Sequence, residues 1–354
     1  MRLLERYLGR AVIVGTLLAL MLLLAVDLFF AILNEMQDIG QGNYGLREVL
    51  FYVGLTVPER AYGLFPMATL LGSLLGLGAM AAHGELIAIR AAGVSLKRIV
   101  WWVMKAGLAM LLVAAAIGEW VAPPAGQMAQ NQRTMAQTSR ITFRSESGIW
   151  ARDGNRYINI KEIFPDGSLA GIEVYELGQD GRLGSVLRAQ RAEYRDGVWW
   201  LRAGERAMLT VDAFRREVFE ERPWRSPLSP ELLNVVVIEP DRLSARDLLR
   251  YVSYLRDNRL DSSRYELAFW QRLMAPLAGL VMLFLSVPFV FGPLRAVGAG
   301  QRLLAGVMVG IVFHLLNQLL GHLGQVYGFD PLLSAAAPSL LFAASGMLLI
   351  RRVR

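Results

Sequence analysis

Apolar runs long enough to cross a bilayer alternate with short polar breaks along this chain, and one long stretch near the middle follows a different rule. Residues 11–33 are apolar except for Asp27 near the far end, and about 20 such residues match the thickness of the hydrocarbon layer. Arg2, Arg6 and Arg10 precede this run, which is too long for a secretory leader and lacks a clean small-residue cleavage site. It therefore reads as a retained first span. Residues 34–48 are polar, with the turn-forming Gln41-Gly42-Asn43-Tyr44-Gly45. Residues 49–82 exceed one upright span, and Pro58-Glu59-Arg60 divides them. That pattern predicts an interfacial helix before Pro58 and a second span over residues 62–82. Gly72, Gly76 and Gly78 in this span permit close helix packing. Residues 99–121, 267–291, 303–323 and 331–350 complete a set of six spans.

The middle of the chain switches from helical to strand periodicity. Alternating runs such as Arg156-Tyr157-Ile158-Asn159-Ile160 and Gly171-Ile172-Glu173-Val174-Tyr175 are punctuated by Asp153-Gly154, Asp166-Gly167, Asp180-Gly181 and Asp196-Gly197. These are the pairs that tight hairpins demand. The regular turns predict a β-sandwich or jelly roll over residues 138–240. From residue 243 to 258 the period becomes helical again, with Ser244 placed as an N-cap and Leu248, Leu249, Val252 and Leu255 on one face. The fold class is thus an α-helical membrane protein with six transmembrane helices and an inserted all-β, jellyroll-like domain. Its units are residues 1–137 (three spans), 138–240 (β-domain), 241–266 (helical connector) and 267–354 (three spans).

Residues 83–95, between the second and third spans, are too short and polar to cross a bilayer. Glu85 near the first turn, Leu86, Ile89 and Ala92 on one face, and Gly93 at the stop suit a short amphipathic helix. Two readings stay open on spacing alone. The segment is an ordered connector, as most short loops between spans are, or it is a helix that receives a push from a soluble partner.

Charge then orients the chain. Basic residues occupy alternate loops: Arg2, Arg6 and Arg10; Arg90, Lys97 and Arg98; Arg295 and Arg302; and Arg351, Arg352 and Arg354. The loop near Asp330 on the other side has none. Both termini and residues 83–95 are therefore expected in the cytoplasm, and the β-domain on the far side. The net charge of +7 is spread over these loops, which argues against a nucleic-acid partner.

Composition also removes chemistries. There is no Cys, hence no disulfide, thiolate nucleophile or Cys-based metal site. The three lysines follow Leu96, Met104 and Ile160, never Gly, so no Walker A motif exists and any ATP hydrolysis belongs to another chain. His83, His314 and His322 lack metal-ligand spacing, and no serine sits in a Gly-x-Ser-x-Gly elbow. The chain reads as a non-enzyme without cofactor or metal. Charged residues inside spans are functional candidates by default. Lys105, Glu119 and Arg272 are expected to snorkel at span ends, and His314, Asn317 and Gln318 to hydrogen-bond between helices. Asp27 serves either packing or a polar pathway. Arg133, Arg140 and Arg144 follow the third span, where guanidinium groups suit either the phosphates of an anionic lipid or contact with ordinary headgroups and the β-domain.

Over nearly its whole length the chain resembles the permease family of the lipopolysaccharide export transporter (LptF/LptG type). The matching motifs are Asp38-Ile39-Gly40-Gln41-Gly42-Asn43-Tyr44, Phe65-Pro66-Met67 with the Gly-rich stretch from Leu71 to Gly78, and the segment from Glu85 to Gly93. Gly118-Glu119-Trp120-Val121-Ala122-Pro123 and Phe291-Gly292-Pro293-Leu294-Arg295 complete the match. The resemblance implies a bacterial inner-membrane location, a periplasmic jellyroll and lipopolysaccharide as substrate. It further implies a second homologous permease (LptF type), a cytoplasmic ATPase dimer (LptB type) and a single-span membrane protein (LptC type). It places Glu85 and Arg90 on a coupling helix facing the ATPase, and Arg133 near the lipid phosphates. The family's lysines at the end of span one are here matched by Ala31, Gln37 and Asp38. Phosphate recognition then rests on Arg133 with Arg140 and Arg144, or on the partner permease. The competing class is a membrane-anchored sensor or scaffold for an envelope protein, against which six spans with glycine-rich faces count.

Overall fold

A computed structural model of the chain describes residues 2–137, 143–164, 167–178, 182–210, 213–224, 226, 228, 230, 240–291 and 297–352. Among these, six helical runs are long and apolar enough to cross a membrane: Leu3–Asp38, Leu46–Ala82, Leu96–Gln137, Ser263–Phe291, Ala299–Tyr327 and Pro331–Arg352. The helices are α1 (Arg2–Glu35), α2 (Leu46–Ala82), α3 (Glu85–Ala91), α4 (Leu96–Ala116) and α5 (Ala122–Gln137), the last two joined by a π-helical turn at Ile117–Val121. After the sheet come α6 (Ala245–Asp257), α7 (Ser263–Phe291), α8 (Ala299–Tyr327) and α9 (Pro331–Arg352). Successive spans run antiparallel, so α3 lies at one end of the bundle and the sheet at the other.

Two expectations about the helices need correction. No break separates an interfacial helix from the second span: α2 is one helix of 37 residues with Pro58 and Pro66 inside it. A proline removes one backbone hydrogen bond and bends a helix, but packing against α1, α5 and α7 carries α2 through both positions. The third span also continues past residue 121, through the π turn into α5, and ends only at Gln137. The glycines of α2 do what their spacing promised. Gly72 meets Thr16 and Gly15 of α1 backbone to backbone, and Gly76 meets Ala11. Leu8, Val12, Leu74 and Leu77 are buried around that contact. The helices α2 and α7 form the interior of the bundle, while α1 and α8 are largely exposed.

The insert is a single antiparallel sheet in sequential order: β1 (Phe143–Asp153), β2 (Arg156–Ile163), β3 (Leu169–Leu177), β4 (Leu183–Arg195), β5 (Val198–Thr210) and β6 (Ala213–Trp224). The β4–β5 hairpin shows why. Asp196 and Gly197 take φ of 52° and 82°, the type I′ geometry that returns one twisted strand beside the last. Tight turns pair consecutive strands, whereas a jelly roll needs long crossovers, so the described strands form a meander, not two Greek keys. The sheet is nevertheless creased. Its ladders skip the pairs at Lys161, Gly171, Gln190, Ala203 and Glu220 without a change of register there, and Gly171 and Ala203 have positive φ (62° and 49°). Ile160 and Ile163 share one core although they stand three residues apart, which a flat strand of period two forbids. The core of the crease (Ile158, Ile172, Trp199, Leu201) is closed by Leu248, Tyr251 and Leu255 of α6. Leu249, expected on that face, is instead exposed.

Candidate functional site

Two charged regions stand out, one at each end of the bundle. At the first, α3 is bounded by Gly84 and Gly93, whose positive φ (75° and 86°) let the chain turn sharply into and out of a seven-residue helix. Leu86 and Ile89 are buried among Leu77, Met80, Val94, Ile99 and Val290 and fix its orientation. Ala92, expected on the same face, lies exposed in the turn that follows. The buried pair turns Ile87 and Arg90 outward. Glu85 is half-buried, and its carboxylate accepts a 2.9 Å hydrogen bond from the exposed Tyr7 hydroxyl of α1. Beside α3 a groove of about 350 Å³ is lined by Ala81, Leu86, Ile87, Arg90, Val290 and Phe291. Tyr7 and the end of α7 therefore belong to this site; Phe291 opens one of the motifs that match the family, while no local sequence signal pointed to Tyr7. Lys105 does not merely snorkel: its ammonium pairs with Glu5 of α1 at 2.9 Å.

At the other end, Arg133 of α5 is enclosed. Its guanidinium lies 3.1 Å from Glu35 and 2.5 Å from Asp38, with its carbon 5.3 Å from the Tyr52 ring centroid. Tyr44 is almost fully buried and donates to Glu35 at 2.9 Å. Burial, and then that hydrogen bond, push its hydroxyl well above the ordinary tyrosine range, so it stays a donor. The loop before α2 is tied down by Asn43 N–H to Ala136 carbonyl at 2.7 Å and by Gln41 to Asp38 at 3.0 Å. The turn-rich motif of residues 38–44 is thus the wall of the Arg133 site. One guanidinium here faces two carboxylates. Arg144 lies in β1, its backbone paired in register with Glu162, and Arg140 lies outside the described residues.

Between the two ends, a cavity of about 620 Å³ opens among α1, α2, α7, α8 and α9, with Asp27, Arg60, Tyr62, Arg272, His314 and Asn317 in its lining. Asp27 is paired with Arg60 at 2.7 Å. The inter-helix hydrogen bonds expected of His314, Asn317 and Gln318 are not formed among the described residues; His314 and Asn317 face this cavity and Gln318 is exposed. Glu119 and Arg272, expected to snorkel, lie 3.5 Å apart as an ion pair. No group of three or more His, Asp and Glu close enough to hold a metal ion occurs among the described residues.

Comparison with known proteins follows the whole layout. Residues 6–352 match the family described as "Lipopolysaccharide export system permease LptF/LptG". The chain is 35% identical over 352 residues to the lipopolysaccharide export system permease protein LptG of Escherichia coli K12, covering 99% of this chain and 98% of that protein. It is 32% identical over 353 residues to the LptG protein of Haemophilus influenzae, covering 99% of each.

Proposed function

The chain belongs to the lipopolysaccharide export system permease LptF/LptG family, and from that membership we propose that it is the membrane half of an ATP-driven lipid extractor. It takes lipopolysaccharide from the outer leaflet of the inner membrane and passes it to a periplasmic bridge. The observation that carries the reading is the reach of the match: residues 6–352 take in the α3 segment, the inserted sheet and all six spans save the first three residues of the first. A membrane-anchored sensor needs one or two spans, and its relatives would share the β-insert alone.

In this reading the chain hydrolyses nothing. It pairs with a second permease of LptF type, two cytoplasmic ATPase subunits of LptB type and a single-span protein of LptC type. Both termini and α3 face the cytoplasm, as the arginine-bearing loops favour, and the sheet stands in the periplasm. The α3 helix is the coupling helix. Leu86 and Ile89 anchor it, Arg90 borders the groove that a partner side chain enters, and Glu85 sits at the first turn between partner and Tyr7. On the periplasmic side Arg133 meets lipid phosphate by exchanging Asp38 for it, with Arg140 and Arg144 following in the same segment. A doubly charged phosphate competes well with one carboxylate for a guanidinium, which permits the exchange.

The experiment is reconstitution. Co-expression should recover about two ATPase copies per permease pair, and vesicles of the complex should release lipopolysaccharide only with ATP. Glu85→Arg should keep ATP hydrolysis while lipid release collapses. Recovery of periplasmic partners alone would sink the transport reading; full lipid release by Glu85→Arg would sink the coupling assignment.

A further inference from the structure

The third span does not pass from α4 to α5 as a plain helix. It widens into a π-helical turn at Ile117–Val121, a form that is rare and concentrates where a helix serves a function. The turn is gripped from two sides. A carbon added at Gly118 would stand 2.4 Å from the Tyr62 ring of α2, so the ring lies flush against the backbone. The Gly118 carbonyl accepts from the Arg272 guanidinium of α7. The Tyr62 hydroxyl donates to the Arg272 carbonyl at 2.5 Å, and its ring centroid lies 5.7 Å from the guanidinium carbon. Three spans are knotted at one place.

Glu119 leads out of this knot. Its carboxylate accepts from the backbone N–H groups of Ala245 at 3.0 Å and Arg246 at 3.3 Å. These are opening amides of α6, donors that a helix cannot satisfy internally, and a negative charge there also complements the helix dipole. Ser244 takes the next one, from Asp247, at 3.1 Å. Further bonds of α6 run into the sheet, and near its other end Arg256 pairs with Glu266 of α7 at 2.9 Å. Leu248, Tyr251 and Leu255 lie in the sheet core, the Tyr254 hydroxyl donates to the Arg152 carbonyl at 2.7 Å, and Gly154 N–H donates to Asn258 at 3.1 Å. One helix is fastened to the π turn through Glu119 at its head, to α7 through Arg256 and Tyr251, and along its face to the β-insert.

We propose that Glu119 is the positioning residue through which movement of the spans reaches the β-insert, with α6 as the strut. This rests on the permease reading, in which a push delivered at α3 must arrive at the sheet. A π turn suits such a joint, because its surplus residue lets the helix below shift without tearing the contact above. The carboxylate holds two amides at once, so α6 follows the span in direction as well as position.

The chain has no cysteine, which allows spin labels to be placed at will through Met128→Cys on α5 and Leu249→Cys on α6, both at exposed positions. In the assembled complex in nanodiscs, the label distance should be single and narrow with and without ATP. Glu119→Ala should broaden it and lower lipopolysaccharide released per ATP about tenfold while ATP hydrolysis persists; Glu119→Asp should restore part of both. If Glu119→Ala does not assemble, Glu119→Gln, which keeps one acceptor but no charge, should broaden the distance to a smaller degree. A distance that stays narrow in the variants overturns the joint whatever the lipid yield. A wild-type complex that releases no lipid overturns the permease reading, while the distances still decide the joint.

Discussion

The contact between α1 and α2 permits a sharp test, because it is made of backbone. A methyl group added at Gly72 would stand 2.3 Å from the Cα and N of Thr16, where ordinary contact begins near 3.4 Å. Neither partner is a flexible side chain that can swing away, so the two helices must part by about 1 Å. A gap of that size forfeits roughly a quarter to a half of each dispersion contact across the seam, and Leu8, Val12, Leu74 and Leu77 are buried along it. Overpacking of this kind costs about 3 kcal/mol, and the better helix propensity of alanine returns about 1 kcal/mol. The expected net loss for Gly72→Ala is about 2 kcal/mol, which lowers the midpoint by roughly 3 °C in a chain of 354 residues. Gly54 lies in the same helix with nothing within 4 Å of an added carbon, so Gly54→Ala should be neutral or slightly stabilising. Thermal unfolding of the purified protein in detergent, followed by tryptophan fluorescence, reads both. Equal midpoints for the two variants would refute the close-approach argument.

Four further outcomes follow. Tyr7→Phe removes the hydroxyl that holds Glu85 at 2.9 Å and should lower lipid release per ATP several-fold, with ATP hydrolysis kept; unchanged coupling would mean that Tyr7 is a bystander. Asp38→Asn should strengthen photo-crosslinking of lipopolysaccharide near Arg133, and Arg133→Glu should weaken it; if neither moves it, the arginine is structural. Arg60→Met leaves Asp27 unpaired inside a span and should destabilise the fold, and adding Asp27→Leu should recover most of the loss in thermal unfolding. Burial raises the pKa of Glu176, but Ser185, Arg156 and Arg206 outweigh it and hold the carboxyl below its ordinary value of 4.5. The folded state therefore binds fewer protons, so this contribution is full above about pH 4.5 and fades as pH falls through the lower folded value; Glu176→Gln should flatten that part of a pH–stability curve.

The sequence by itself determined the spans, the insert and the hairpins, since each depends on local rules. Bilayer thickness sets a run length, and a type I′ turn demands Asp-Gly at a fixed place, as at Asp196-Gly197. The short helix at Glu85–Ala91 was legible for the same reason, with Leu86 and Ile89 one turn apart and Gly93 at the stop. Partnership was another matter. Arg133 looked like a free cation after a span, yet Glu35 and Asp38, about a hundred positions away, already hold it. Glu119 looked like a snorkelling charge, yet it caps a helix that begins at residue 245. Pro58 looked like a divider, yet packing on neighbouring spans carries the helix through it. The crease that brings Ile160 and Ile163 to one core breaks the period of two on which strand reading depends. For Arg133, Glu119 and Pro58 the deciding contact joins segments far apart in the chain, and only the folded arrangement brings them within a few ångströms.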